Sequence, residues 1–168
     1  MVLPLAAVLF SNRPTPVEER PVLLPTTRLV FGGDVMLSRY VGILARARRD
    51  PASPFRDLAP VLSAADIAFV NLESPFSDRG RPLEKGMVFK AEPEMIAGLE
   101  LAGVDVVSTA NNHARDCGDY GIEFTLGRLE GSGILAAGTG RTEAAAREGA
   151  EAGDRRRISR VVLESGRK

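Results

Sequence analysis

Tryptophan is absent from this 168-residue chain, and aromatic residues amount to only 5%. Nucleic-acid binding by base stacking needs richer aromatic platforms than that. Neither sign of charge is in excess: 22 Lys and Arg face 22 Asp and Glu, for a formal net charge of zero. That balance removes the electrostatic case for nucleic acid as a partner. Cysteine occurs once, at Cys117, which excludes an internal disulfide and leaves the redox compartment open. Long apolar runs are lacking too. The first, Val2 to Phe10 of "MVLPLAAVLF", is too short to span a bilayer. It has neither the preceding basic residues nor the following small-residue cleavage site of a secretory signal. It reads as a frayed apolar terminus or a cut-down anchor.

What is present is an ordinary globular mixture, 44% apolar and 26% charged, at a length suited to one domain with a real core. The segment "SNRPTPVEERPVLLPTT" holds four prolines in 17 residues, so residues 1–26 divide into an apolar start and an extended linker. From Arg28 the pattern changes. Leu29–Phe31 and Ile67–Val70 read as buried strands, "VDVVSTA" as a third and "ILAAG" as a short fourth. Helical spacing separates them. It is seen in "LSRYVGILARARR", in "SPFRDLAPVLSAA", in "PEMIAGLELAG" with Pro93 at its start and Gly103 at its end, and in "GDYGIEFTLGRLEGSG". In the last of these Ile122, Leu126 and Leu129 are expected to share the buried face. A final helical piece, "TEAAARE", follows. Residues 72–88 form a loop rich in proline, glycine and charge.

Alternating strands and helices at this spacing predict an α/β fold with a mainly parallel sheet, its right-handed crossovers placing helices on both faces. Ligands of such sheets bind beyond the carboxyl ends of the strands. Asp34 lies at the end of the first strand, Asn71 and Glu73 at the end of the second, and Asn111, Asn112 and His113 at the end of the third. Each has a plainer reading. Asp34 serves equally as a helix cap, Glu73 as a solvated loop acid, Asn112 as a turn residue and His113 as a structural histidine. The plainer readings do not require all of them to meet at one edge. Carboxylate and amide oxygens suit Mg, Mn or Fe, and an imidazole extends the choice to Zn. A carboxylate between two cations can bridge them, and a neighbouring histidine can protonate a leaving oxygen. Cys117 is read as structural. "GSGILAAGTG" lacks the Lys-Ser/Thr of a phosphate-binding P-loop, and "GGDVML" is not a dinucleotide fingerprint.

The stretches "FGGDVMLSR", "DIAFVNLESPFS", "VFKAEPEMIAGLELAGVDVVSTANNHARDCGDYGIEFTLGRLEGSGI" and "AGTG" together resemble the CapA family of capsule or poly-γ-glutamate synthesis proteins, related to calcineurin-like metallophosphoesterases. The resemblance covers about Arg28 to Glu148 and keeps the order and spacing of several motifs. It implies a metallophosphoesterase-like sandwich, incomplete at the C-terminus, over residues 27–148. It implies Asp34, Glu73 and Asn112 as ligands of a divalent metal (Mn, Mg, Fe or Zn), Glu73 as the bridging acid and His113 as the catalytic histidine. Asn71 and Asn111 support them. Met36 stands where ordinary metallophosphoesterases carry a histidine, as it does in CapA-like sequences.

The family's role implies an anionic polymer or phosphorylated substrate and a membrane polymer-synthesis complex. The expected location is the cell envelope, with the cytoplasm as the alternative. Two functions follow: a metal-dependent hydrolase or transferase, or a non-catalytic scaffold in such a complex. A nucleotide-binding module is a third class, requiring nucleotide binding that survives loss of Glu73. The family's later histidine motifs have no counterpart here. From Asp154 on, residues are six basic against two acidic, a net of +4, so residues 149–168 read as a solvated basic tail or a truncated or frame-shifted end. The chain alone is therefore expected to bind metal weakly, turn over little and dissolve poorly. Limited proteolysis is expected to trim residues 1–26 and leave a core beginning near Thr27; protection of Val2 to Phe10 would show instead that this run docks on the domain or on a membrane.

Overall fold

The computed structural model describes residues 26–79, 86–153 and 160–163. The expectation for the N-terminal linker therefore falls outside the described residues. Four strands, β1 (Leu29–Val35), β2 (Ile67–Leu72), β3 (Val106–Ser108) and β4 (Leu135–Ala137), form one sheet in the order β1-β2-β3-β4. Every neighbouring pair is parallel. The fold is the α/β class with a parallel sheet that the alternating pattern predicts.

The crossovers are built from α1 (Arg39–Ala47), α2 (Ala59–Leu62), α3 (Ile96–Ala102) and α4 (Gly118–Gly131), with single 3-10 turns at Ser53–Phe55 and Pro93–Met95. Helix α3 stops where expected. Gly103 takes the left-handed conformation (φ 66°), which a residue with a Cβ adopts only at a cost. Between β1 and β2, Asp66 accepts the Arg28 amide at 2.7 Å. Between β2 and β3, Asp105 accepts the Ala68 amide at 2.8 Å. Both aspartates thus peg the starts of the strands.

The core lies on one side of the sheet. Ala68, Val70 and Leu72 of β2 and Val107 of β3 meet Ala45 of α1, Leu62 of α2, Ile96 and Leu99 of α3 and Leu129 of α4 in a single cluster. Helices on both faces were the sequence expectation, and the topology explains the difference. Strands added in chain order with crossovers of one hand put every crossover on the same side; helices on both faces need a reversal of strand order. The second face has a smaller cluster of Ile67, Val106, Ala137 and Ala150, with Phe69 beside it. Leu29 and Phe31 of β1, on that same face, remain exposed at 39% and 62%.

Two further observations depart from the sequence reading. The face of α4 that is buried runs through Gly121, Thr125 and Leu129, with Ile122 and Leu126 half-buried at its flank. Thr125 is buried because its hydroxyl works as a backbone surrogate. It accepts the Phe76 amide at 2.8 Å and returns a bond to the Phe76 carbonyl at 3.3 Å. A short helix, α5 (Glu143–Arg147), forms where the final helical piece is expected; the other departure is the antiparallel ribbon of β5 (Ala150–Gly153) and β6 (Arg160–Leu163) that follows it. This ribbon lies within the stretch read as a solvated basic tail, and its first residue, Ala150, joins the smaller cluster.

Thr125→Val keeps the volume of the side chain and removes the acceptor for the buried Phe76 amide. It is expected to lower stability by about 1–3 kcal/mol in a denaturant titration, because a buried N–H is left without a partner.

Candidate functional site

Parallel pairing in register brings the carboxyl ends of the strands to one edge. Asp34 of β1 pairs with Asn71 of β2, and Asn71 pairs with Ser108 of β3. A register shift between Phe31 and Asp34 in β1, at the Gly32–Gly33 pair, sets the first of these alignments. Gly32 is needed there, since a Cβ would meet Val70 Cγ1 at 2.9 Å. Beyond the strands, the Glu73 amide donates to the Val35 carbonyl at 3.1 Å, and the Leu37 amide donates to Ser74 Oγ at 2.8 Å inside the core. The loops after β1 and β2 are thereby held side by side.

The polar side chains at this edge form a chain of hydrogen bonds. Asn71 Nδ2 donates to Asp34 Oδ1 at 2.7 Å. Asn111 Nδ2 donates to Asn71 Oδ1 at 3.1 Å and to the Leu72 carbonyl at 2.9 Å. Asn111 Oδ1 accepts the His113 amide at 3.0 Å, which closes the turn that carries the histidine. His113 Nε2 then faces Glu73 Oε1 at 3.8 Å. Asp34, Asn71, Glu73, Asn111 and His113, singled out from three separate stretches of sequence, are thus joined in one network. Asn112 stands on the same turn, exposed to solvent, as is Asp34.

Two residues of this site were not assigned a role from the sequence. Asp116 is buried, its side chain 3% exposed, with Oδ2 2.7 Å from His113 Nδ1. Phe89 lays its ring over the imidazole, with centroids 4.1 Å apart. The signal for Asp116 was present as a histidine followed three residues later by an acid. Phe89 lies in a different segment, and no local pattern links it to His113. Cys117 sits alongside, its thiol directed at the Phe89 carbonyl at 3.9 Å. Burial pushes that thiol's pKa up, with the nearby Lys90 opposing and Asp116 adding to the rise, which keeps the sulfur in its unreactive protonated form.

Chemically the edge offers oxygen donors. Among the described residues no group of three or more His, Cys, Asp or Glu gathers to hold a metal ion. The donors available are two carboxylates, Asp34 and Glu73, and the Asn112 amide. One oxygen of Asp34 is engaged by Asn71, and among the described residues the Glu73 carboxylate has the long contact to His113. By donor type such a set would suit a hard or borderline divalent cation, and in number it falls short of the ligands for two.

A parallel α/β sheet with Asp, Asn-Leu-Glu and Asn-Asn-His at successive strand ends is of the metallophosphoesterase-like class. Residues 28–161 match the family model described as "Bacterial capsule synthesis protein PGA_cap", and the chain belongs to that family. Among its relatives, the PGA biosynthesis protein CapA of Bacillus subtilis is 29% identical over 112 residues, 66% of this chain and 29% of the relative. The capsule biosynthesis protein CapA of Bacillus anthracis is 29% identical over 138 residues, 75% of this chain and 33% of the relative. The uncharacterized protein y4uA of Sinorhizobium fredii is 33% identical over 128 residues, 72% of this chain and 28% of the relative. The chain spans about three-tenths of the length of these curated relatives.

Asn111→Ala removes the side chain that ties β2 to the histidine turn and leaves the Leu72 carbonyl without that donor. The expected outcome is a loss of about 1–3 kcal/mol in stability together with faster hydrogen exchange at the His113 amide. Unchanged exchange at His113 would show that the turn holds itself.

Proposed function

We propose that this chain contributes a metal-assisted, phosphoesterase-like site to capsule or poly-γ-glutamate polymer synthesis or export at the cell envelope. The observation that carries the reading is the single hydrogen-bonded network linking Asp34, Asn71, Asn111 and His113, with Glu73 facing the same imidazole. Asp34, Glu73 and Asn112 would hold a divalent cation (Mn, Mg, Fe or Zn). When bound, the cation supplies Lewis acidity toward a phosphoryl or similar oxygen and lowers the pKa of a coordinated water. Asn71 holds Asp34 in place through its amide. Asn111 fixes the turn that presents His113, and His113 would move a proton at Nε2. An anionic polymer or a phosphorylated precursor is the substrate class such a site suits.

A second reading is favoured by one observation of its own. With too few donors for two cations, the edge serves equally as a binding surface in a non-catalytic scaffold of a membrane polymer-synthesis complex. No helix among the described residues is long and apolar enough to cross a membrane.

Calorimetric titration with manganese, paired with hydrolysis of a phosphodiester in the presence and absence of manganese, tests the proposal. Weak binding of one cation is expected, reduced at least tenfold by Glu73→Gln, with little turnover by the chain alone. Absence of any metal binding would overturn the metal-site reading. Robust manganese-dependent turnover abolished by His113→Ala would show that these donors suffice for catalysis and exclude the scaffold reading.

A further inference from the structure

We propose that the cleft between the end of α1 and the turn at Pro93–Met95 binds a small zwitterion with an apolar body, for which a dipeptide with free termini is the matching chemistry. The cleft has a volume of about 360 Å³. That lies within the range of small-molecule sites, roughly 300–1,000 Å³. It shares no lining residue with the edge formed by Asp34, Glu73 and His113. Ala45 and Met95, both buried, give it an apolar floor. Arg46 ties one wall to the other, its Nη2 3.5 Å from Glu92 Oε1, and Lys90 Nζ reaches the same oxygen at 3.6 Å. Asp50 is engaged by Arg56 at 2.6 Å. Two charged groups of the lining remain. Arg49 on the α1 wall and Glu94 on the other have no ion pair among the described residues.

Arg49 also stands where glycine would cost less. Its φ is 53°, in the left-handed region. Its amide donates to the Arg46 carbonyl at 2.9 Å, and the Asp50 amide donates to the Ala45 carbonyl at 3.0 Å. This pair of bonds ends a helix around one left-handed residue, most often glycine. With a Cβ, that backbone crowds the following carbonyl. A cation for the helix dipole does not explain the arginine, because Arg46 in the last turn and Arg48 at the cap already supply that charge. Backbone held in an unfavourable region points to a task for the side chain, and this side chain lines the cleft.

The ligand follows from what is left over. The guanidinium fork of Arg49 suits a carboxylate, which it can hold by two parallel bonds. The Glu94 carboxylate suits an ammonium group. A ligand with one charge would leave either Arg49 or Glu94 facing it without a counter-charge. A ligand with both charges and a short aliphatic body satisfies the two walls and covers the floor of Ala45 and Met95.

Titration of the full chain with dileucine tests this, followed by calorimetry and by amide proton–nitrogen spectra. Saturable binding is expected, with shifts concentrated at the amides of Arg49, Asp50, Glu94 and Met95. N-acetyl-dileucine lacks the ammonium and dileucine amide lacks the carboxylate. Each is expected to bind about tenfold more weakly or worse, having lost one charge-assisted bond. Arg49→Gly is expected to melt at or above the wild-type temperature, because glycine takes left-handed backbone freely, and to bind dileucine about tenfold more weakly or worse. Glu94→Gln is expected to lose the preference for dileucine over its acetylated form. Absence of saturable dileucine binding overturns the proposal. So do equal affinities for the three ligands, shifts that fall away from the cleft, or undiminished binding by Arg49→Gly. A lower melting temperature for Arg49→Gly overturns it as well, since Arg49 would then be kept for the fold.

Discussion

One amide, that of Asn111, joins three parts of the chain at once. Its nitrogen reaches back to the end of β2 through the Leu72 carbonyl and Asn71, and its oxygen holds the amide of His113. Because β1 and β2 are already in register, the same bonds extend through Asn71 to Asp34. No carboxylate or hydroxyl could replace it. The position uses two donors, to Asn71 Oδ1 and the Leu72 carbonyl, and one acceptor, for the His113 amide; a carboxylate has no donor and a hydroxyl only one, whereas the asparagine amide has two N–H groups and an oxygen. Without that group the histidine turn loses its side-chain tie to the end of β2.

The sheet that makes this edge possible has unequal faces. Strand order follows chain order, so all the long crossovers collect on one side and bury a continuous core there. The opposite face has only a small apolar cluster, with Phe31 and Leu29 at the β1 end exposed. Polar groups gather at the carboxyl edge without any reversal of strand order to open a crevice between neighbouring crossovers. The site is accordingly shallow, formed by loop ends side by side, which agrees with exposed Asp34 and Asn112 flanking a buried His113.

How much of this was legible in the sequence depended on how local each signal was. Four strands and the crossovers between them were legible because apolar runs and helical spacing are properties of adjacent residues. The common edge was legible too, since parallel strands must all end on one side. Which face each helix covers was not, because that follows from strand order, and strand order is decided by pairing between distant segments. The buried face of α4 was misread for a related reason. Thr125 looks polar in a list of residue types, yet its hydroxyl satisfies Phe76 and belongs inside. The ribbon of β5 and β6 was hidden by the charge of its sequence, while pairing between two short strands depends on backbone groups that composition does not reveal. Asp116 stood in plain view three residues after His113. Its role needed Phe89, brought across by folding, to be recognised.

The shift of register in β1 has a consequence for how this edge tolerates change. Between Phe31 and Asp34 the strand advances three residues while β2, from Phe69 to Asn71, advances two. Side chains in a strand alternate between faces, so a one-residue difference in length exchanges one face for the other. Gly32 and Gly33 therefore act as a phase-setting insert: they decide on which side of the sheet the carboxylate of Asp34 emerges. Paired without the shift, Asp34 would fall opposite Leu72, on the other face of the sheet from Asn71. The irregularity in the strand, as much as the acid itself, thereby sets which face of the sheet receives the charge.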